Sequence, residues 1–423
     1  MLNENLDRKG FEGLGIVPAL LKCIERLGFV EPTPIQVMSI PVATSGEDVV
    51  GIAQTGSGKT LAFSIPMIQS IVATKKVGLI LLPTRELAVQ VEETLRKLVG
   101  VYGLKTALVI GGAGMGSQAK LLRARPNIIV ATPGRLIDHV DQKHISLSNV
   151  GMLVLDEADR MLDMGFAPQL KKILSFIPVD RQTMLFSATM PNEIATIAEK
   201  YMKKPLRIEV ARPGTTVDTI DQEIFIVKKE AKMDLLEDLL DKYHNASVLI
   251  FSRTKHGAKK IATHLRRLGH TADELHSNRS QNQRQHALKG FTNGKYRILV
   301  ATDIAARGID VDHLELVINF DLPTLVEDYT HRIGRTGRAG RSGTAISFAT
   351  HDEKGDIAQI QQLINKTLPI KSPCGKDLEP IEIASGRLKT SLSGASRGGK
   401  GKSGGRSNGG NNGGGQRSFR RRR

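Results

Sequence analysis

No apolar run in this 423-residue chain approaches the ~18 residues needed to cross a bilayer as a helix. The longest, such as Val77–Leu82 and Met152–Leu155, have the length of buried strands. The opening segment MLNENLDRKG is polar and mixed in charge, which does not make a secretory signal. Cysteine is nearly absent: Cys23 and Cys374 lie far apart without metal-type spacing. That excludes a zinc ribbon and fits a reducing compartment, so a cytoplasmic address is expected. There is no short-period repeat. Acidic residues are missing from Gly386–Arg423, where Lys and Arg number eleven, so that of the net charge of +17 only +6 falls on the rest. Such an arm suits a polyanion, either nucleic acid or a membrane surface. Membrane anchoring would need apolar residues, and Phe419 stands nearly alone.

Length predicts two or three domains. Two stretches repeat one grammar of short apolar strands separated by helix-length segments, which implies parallel sheets with crossover helices. The first has strands near 49–53, 77–82, 107–110, 128–131, 152–155, 183–186 and 207–210. The second has them near 222–227, 248–251, 272–275, 298–301, 316–320 and 344–348, with a helix near 355–365. Between them ARPGTTVDT, residues 211–219, reads as a linker. The predicted organisation is an α/β domain over 1–210, the linker, a second such domain over 220–385, and a disordered basic Gly-rich tail over 386–423.

The sharpest local signal is AQTGSGKT, Ala53–Thr60, which follows a strand and precedes a helical run. That is the context of a phosphate-binding loop. Ala53 stands where the usual pattern has Gly. Gln54, Thr55, Gly56, Ser57 and Gly58 would form the cradle, Lys59 would reach the β/γ-phosphates, and Thr60 would ligate Mg²⁺. DEAD, Asp156–Asp159, ends the apolar strand GMLVL. There Asp156 is the Mg²⁺ candidate and Glu157 the group that polarises the attacking water. Taken alone, the same letters fit an acidic helix start. HRIGRTGR, His331–Arg338, clusters four basic side chains, and if it is helical His331, Arg335 and Arg338 share one face. Arginines supplied across an interface stabilise a γ-phosphoryl in transit.

In this order the segments resemble the DEAD-box family of superfamily 2 helicases, over about residues 11–350. MLDMGF and HSNRSQNQR look nearest to bacterial RhlE-type members. The resemblance implies two tandem RecA-like domains of the P-loop NTPase type. It also implies an adenine-recognition element over 9–37, in which Phe11 stacks on the base and Gln36 reads its edge. RNA contacts would come from Thr84 and Arg85 of PTRELA, Gly112, and Thr132 and Arg135 of TPGR in the first domain. In the second they would come from Arg253, Gln281, Arg284 and Thr302. Ser187 and Thr189 of SAT, with Asp159 and His331, would couple the domains. Arg307, Gly308 and Asp310 would lie towards the nucleotide, with Arg335 and Arg338 as arginine fingers.

The implied function is an ATP-dependent RNA helicase that hydrolyses ATP with RNA stimulation, unwinds short duplexes and remodels RNA–protein complexes. ATP and Mg²⁺ are its expected cofactors. RNA, gripped by its backbone, is its expected partner, and the core is expected to be monomeric. One rival is a DNA-directed motor of the same superfamily. Another is a non-enzymatic RNA-binding protein that acts through the tail; the presence of Lys59, Asp156, Glu157, Arg335 and Arg338 argues against it.

Overall fold

Runs such as VLIF at Val248–Phe251 and ILVA at Ile298–Ala301 are buried on both faces. A strand with no solvent face must sit inside a parallel sheet covered by helices on both sides. The computed structural model describes residues 10–53, 56–210, 220–306, 314–337 and 342–372. The linker 211–219, the tail 386–423 and Cys374 lie outside the described residues.

The first sheet contains β1 (Val49–Ile52), β2 (Val77–Leu81), β3 (Thr106–Val109), β4 (Ile128–Ala131), β5 (Val150–Leu155), β6 (Gln182–Ser187) and β7 (Leu206–Glu209). Their order is β3-β4-β2-β5-β6-β1-β7, all parallel. The second contains β8 (Ile220–Ile226), β9 (Val248–Phe251), β10 (Ala272–Leu275), β11 (Ile298–Ala301), β12 (Leu316–Asn319), β13 (Gly343–Ala349) and β14 (Ile370–Lys371). Its order, β10-β11-β9-β12-β13-β8-β14, repeats the first position for position. The two halves are thus two copies of one doubly wound α/β architecture. The two-residue β14 is too short to have shown a pattern in the sequence.

Alternating strand residues feed opposite layers. Ile80 and Leu82 enter one core of the first sheet, Leu79 and Leu81 the other. Val248 and Ile250 face one core of the second sheet, Leu249 and Phe251 another. Cys23 packs into the first core and Met161 is fully buried, both as plain fillers.

The order also sorts the motifs. Loops at the carboxyl ends of parallel strands form the ligand face of such sheets. In the first sheet β5, β6 and β1 are adjacent, so DEAD, SAT and the phosphate loop emerge side by side. PTRELA, Gly111–Gly112 and TPGR follow β2, β3 and β4, the other half of the same edge. Segments scattered over a hundred residues become two neighbouring clusters.

Candidate active site

The phosphate loop turns on two glycines in left-handed conformation, Gly56 (φ 84°) and Gly58 (φ 89°). Gly58 caps the helix Lys59–Thr74. A Cβ there would stand 2.4 Å from Gln36 Nε2 and 2.8 Å from Thr33 Oγ1, so space as well as φ demands glycine. Lys59 is buried and its Nζ donates to Ala53 O at 2.9 Å, closing the loop on itself. Ala53 N donates to Ser187 O at 2.9 Å. Thr60 and Ser57 are half-buried and Gly56 is exposed. Gln54 and Thr55 lie outside the described residues.

Gln36 sits in the first turn of the helix Pro34–Thr44, with its amide already engaged. Thr33 N donates to Gln36 Oε1 at 2.9 Å, and Gln36 Nε2 donates to Gly58 O at 2.9 Å. The side chain therefore braces the phosphate loop. Each amide group retains further capacity, one N–H and one lone pair. Phe11 lies in the first core, 5% exposed.

Asp156 follows β5, and its backbone N–H donates to Leu81 O at 3.1 Å. Burial raises its pKa to about 6, against the pull of Lys59 and helped by the neighbouring Glu157. Glu157 adopts a left-handed conformation, φ 51°, before the helix Ala158–Asp163. That backbone costs about 1–2 kcal/mol for a residue with a side chain. Such strain persists where surrounding contacts impose it. Here they do: Arg160 Nη1 donates to both Glu157 oxygens, at 2.9 and 2.8 Å, with both side chains buried.

Asp159 collects the SAT segment. Its Oδ2 accepts from Ala188 N (3.1 Å), Thr189 N (2.9 Å) and Thr189 Oγ1 (2.9 Å), while its own N–H donates to Ser187 Oγ at 3.2 Å. Burial alone would raise its pKa. Lys59, the Thr189 hydroxyl and Arg160 together hold it below the usual carboxylate value.

The second sheet reaches this cluster through His331, whose Nδ1 lies 3.0 Å from Arg160 Nη2. The helix Glu327–Ile333 stops before Arg335, which sits in the following turn. The condition under which His331 and Arg335 would share one helical face is therefore not met, because the helix ends at Gly334. Arg335 is buried, and its Nε donates to His331 O at 3.2 Å. Arg332, passed over in the sequence, is the internal brace. It donates to Asp303 Oδ2 (2.7 Å), Asn319 Oδ1 (3.1 Å) and Asp321 O (2.6 Å). Arg307, Gly308, Asp310 and Arg338 lie outside the described residues.

On the other half of the edge, Thr84 caps the helix Arg85–Val99, accepting from Leu87 N at 3.3 Å. The Arg85 guanidinium lies over Gly111 and Gly112; a Cβ on Gly112 would fall 2.2 Å from Nη1. Thr132 stands at the N-cap position of the helix Pro133–Asp141 without a capping hydrogen bond from its hydroxyl, and Arg135 Nη1 donates to Ala113 O at 2.8 Å. In the second sheet Arg253 is exposed and bonds Glu353 at 2.7 Å. Thr302 follows β11 and is half-buried. Gln281 opens the helix Gln281–Thr292 and is buried. Arg284, on the same helix, is not open to solvent: its Nη2 donates to Glu86 Oε2 at 2.7 Å, across the domain boundary. Burial raises the Glu86 pKa despite Arg284, and burial lowers that of Arg284 despite Glu86. For both groups desolvation outweighs their mutual attraction. Arg160 and Glu86, both missed in the sequence, reveal themselves only through these cross-domain partners.

Residues 33–197 match the family model described as DEAD/DEAH box helicase, and residues 231–340 match the helicase conserved C-terminal domain. The chain is 44% identical over 370 residues to the ATP-dependent rRNA helicase RRP3 of Candida albicans, covering 87% of this chain and 69% of that one. It is 42% identical over 388 residues to the DEAD-box ATP-dependent RNA helicase CshA of Bacillus subtilis, covering 90% and 78%. Among solved structures, S. cerevisiae Dbp5 bound to RNA and ADP BeF3 superposes with a TM-score of 0.77 at 30% identity, covering 86% of this chain and 95% of that one. A DEAD box protein from Methanococcus jannaschii, 40% identical with 86% and 99% covered, scores 0.50. With its two repeated sheets, its motif clusters and these matches, the chain belongs to the DEAD/DEAH box helicase family.

Proposed function

We propose that this ATP-dependent RNA helicase completes its hydrolytic site only when its two domains close, and that Arg160 and His331 carry the closure signal to Glu157. The observation that carries this is the unbroken polar path from Thr189 through Asp159 and Arg160 to His331, with Glu157 held by Arg160. A domain arrangement like that of a relative bound to RNA and ADP BeF3 supports reading this state as the closed one.

ATP would lie on Gly56–Thr60, with Lys59 leaving Ala53 O for the phosphates. Gln36 would turn its spare donor and acceptor to the adenine edge while still bracing Gly58, and Phe11 would add its remaining exposed edge to the base. Glu157 would orient the attacking water. Arg335 and Arg338 would approach the γ-phosphoryl from the second domain. Mg²⁺ fits the donor set: Asp156 is a buried carboxylate whose charge is costly without a cation, and Thr60 offers a hydroxyl in the first turn of the helix after the phosphate loop. When bound, it would neutralise charge on the β- and γ-oxygens.

RNA would cross Thr84, Arg85, Gly112, Thr132 and Arg135 and continue over Arg253, Gln281 and Thr302. These are backbone-type contacts, so sequence preference should be slight. Arg284 would serve closure through Glu86 as much as RNA. A cytoplasmic address and the tail's tethering of RNA complete the reading. Comparing ATP turnover without nucleic acid, with RNA and with DNA tests it. Stimulation by RNA above DNA is the expected result, and equal stimulation favours a DNA-directed motor.

A further inference from the structure

The helix Lys255–Arg267, KHGAKKIATHLRR, contains five Lys/Arg and no Asp or Glu. Its buried residues, Ala258, Ile261, Ala262 and Leu265, fill one narrow arc against the second sheet. At 100° per residue, Lys255, Arg266, Lys259, His256, Arg267 and Lys260 follow one another around the opposite side, and all are exposed. Thr263, half-buried, falls between Lys259 and His256, and the other positions of the arc are basic.

Helix stability does not account for it. Cations in the last turn complement the macrodipole, which covers Arg266 and Arg267. Lys255 and His256 stand in the first turn, where positive charge is unfavourable. Lys255 and Lys259, four apart, repel each other. Neutralisation is also incomplete. Lys255 Nζ is held by the neutral Asn278 Oδ1 at 3.0 Å, whereas Arg266 is paired, 3.5 Å from Glu274 and 3.9 Å from Asp273. Lys259, Lys260 and Arg267 have no ion pair among the described residues. The neighbouring helix Lys232–Lys242 is rich in acids, yet its Glu237 turns to His264 at the arc's edge.

The position gives the arc a direction. Thr254 caps this helix, its hydroxyl accepting from Gly257 N at 3.0 Å, directly after Arg253 at the carboxyl end of β9. A crossover helix runs back antiparallel to its strand, so the arc starts at the edge assigned to RNA and leads away down the domain's outer flank for ~20 Å.

We propose that this arc is a track for the RNA backbone that flanks the gripped segment. The proposal rests on the reading of the sheet edge as the RNA cleft. The cations make no pattern of base-edge readers, so the track binds by charge and adds affinity without sequence choice. It acts on RNA that extends beyond the cleft and leaves the chemistry of ATP hydrolysis alone.

The full chain carrying Lys259→Gln, Lys260→Gln and Arg267→Gln tests this, since all three side chains are exposed and the fold should tolerate them. RNA-stimulated ATP turnover is measured with an oligouridine too short to leave the cleft. It is repeated with the same oligomer extended at either end by on the order of 6 phosphates, enough to span the helix. The triple variant should match the wild type on the short oligomer. On one of the extended oligomers it should need roughly 3- to 10-fold more RNA for half-maximal turnover, with kcat unchanged. The log–log salt slope there should be shallower by up to about 2, three charges at ~0.7 each. Equal weakening on the short oligomer overturns the proposal, because the cations then act within the cleft. No change on either extension overturns it too, and leaves the arc to an acidic protein. Stimulation of the wild type by the short oligomer checks the cleft reading separately.

Discussion

Arg160 grips both carboxylate oxygens of Glu157 with one guanidinium nitrogen, and its other terminal nitrogen lies 3.0 Å from His331 of the second domain. Glu157, proposed above to polarise the attacking water, is thereby held by a residue that also touches the second domain. Arg160→Lys keeps the charge but loses the planar fork. Its kcat for RNA-stimulated ATP turnover should fall by on the order of 10²-fold, the cost of a small misplacement of a reacting group. The RNA concentration for half-maximal turnover should hardly move. A purely structural role would lower the unfolding temperature and weaken RNA use together, so both are measured.

Arg284 and Glu86 form the second cross-domain tie, 2.7 Å long and buried. Removing one partner strands a buried charge, whereas removing both does not. Glu86→Leu or Arg284→Met alone should weaken RNA-stimulated turnover, and the double variant should recover part of the loss, with a coupling of roughly 1 kcal/mol. Additive losses would mean that Arg284 acts on RNA alone.

Gly58 and Gln36 are joined by a 2.9 Å hydrogen bond from amide to carbonyl. Gly58→Ala should raise the KM for ATP by at least about tenfold, because the new methyl meets Gln36 Nε2 and the left-handed φ adds about 1–2 kcal/mol. Gln36→Ala should weaken ATP use and narrow the gap between ATP and GTP. Full retention of ATP preference in nucleotide competition would confine Gln36 to bracing the loop.

Much of this was legible beforehand because strands and phosphate loops have local signatures. The strands of both sheets fall within a residue or two of the expected runs, apart from β14. The DEAD, SAT and phosphate-loop segments were recognisable by their own residues. What the sequence could not reveal depends on pairs distant in the chain. Arg160 reads as an ordinary helix residue until His331, 171 positions away, comes to its side. Glu86 reads as a favourable first-turn acid until Arg284 meets it. Whether HRIGRTGR is helical throughout was open in the sequence; the helix stops at Gly334 for a local reason, the glycine itself.

His139 is fully enclosed and carries a defined tautomer. Gln118 donates to Ile110 O at 2.9 Å, so its Oε1 faces His139 Nε2, which must donate at 3.2 Å. His139 Nδ1 then accepts from His144 Nδ1 at 3.0 Å. Burial, His144 and Arg135 all lower the His139 pKa. The unfolded chain therefore takes up a proton first as pH falls below the ordinary histidine value of about 6.5, and stability drops with it, while above that value it is flat. In denaturant melts between about pH 5 and 6.5, His139→Asn should make this slope shallower by at most ~1.4 kcal/mol per pH unit, the ceiling for one proton. His270 and His276, also lowered by burial, keep part of the slope. An unchanged slope would show that folding does not lower the His139 pKa.

The central claim, that unhydrolysed ATP holds the two domains closed on RNA with Glu157 as the hydrolytic carboxylate, is tested most directly by RNA release from Glu157→Gln. That variant keeps Asp156 for the cation and removes the group that polarises water. With ATP and Mg²⁺ present, its RNA should dissociate far more slowly than from the wild type, and the difference should vanish with ADP. Release as fast as from the wild type in ATP would contradict the account.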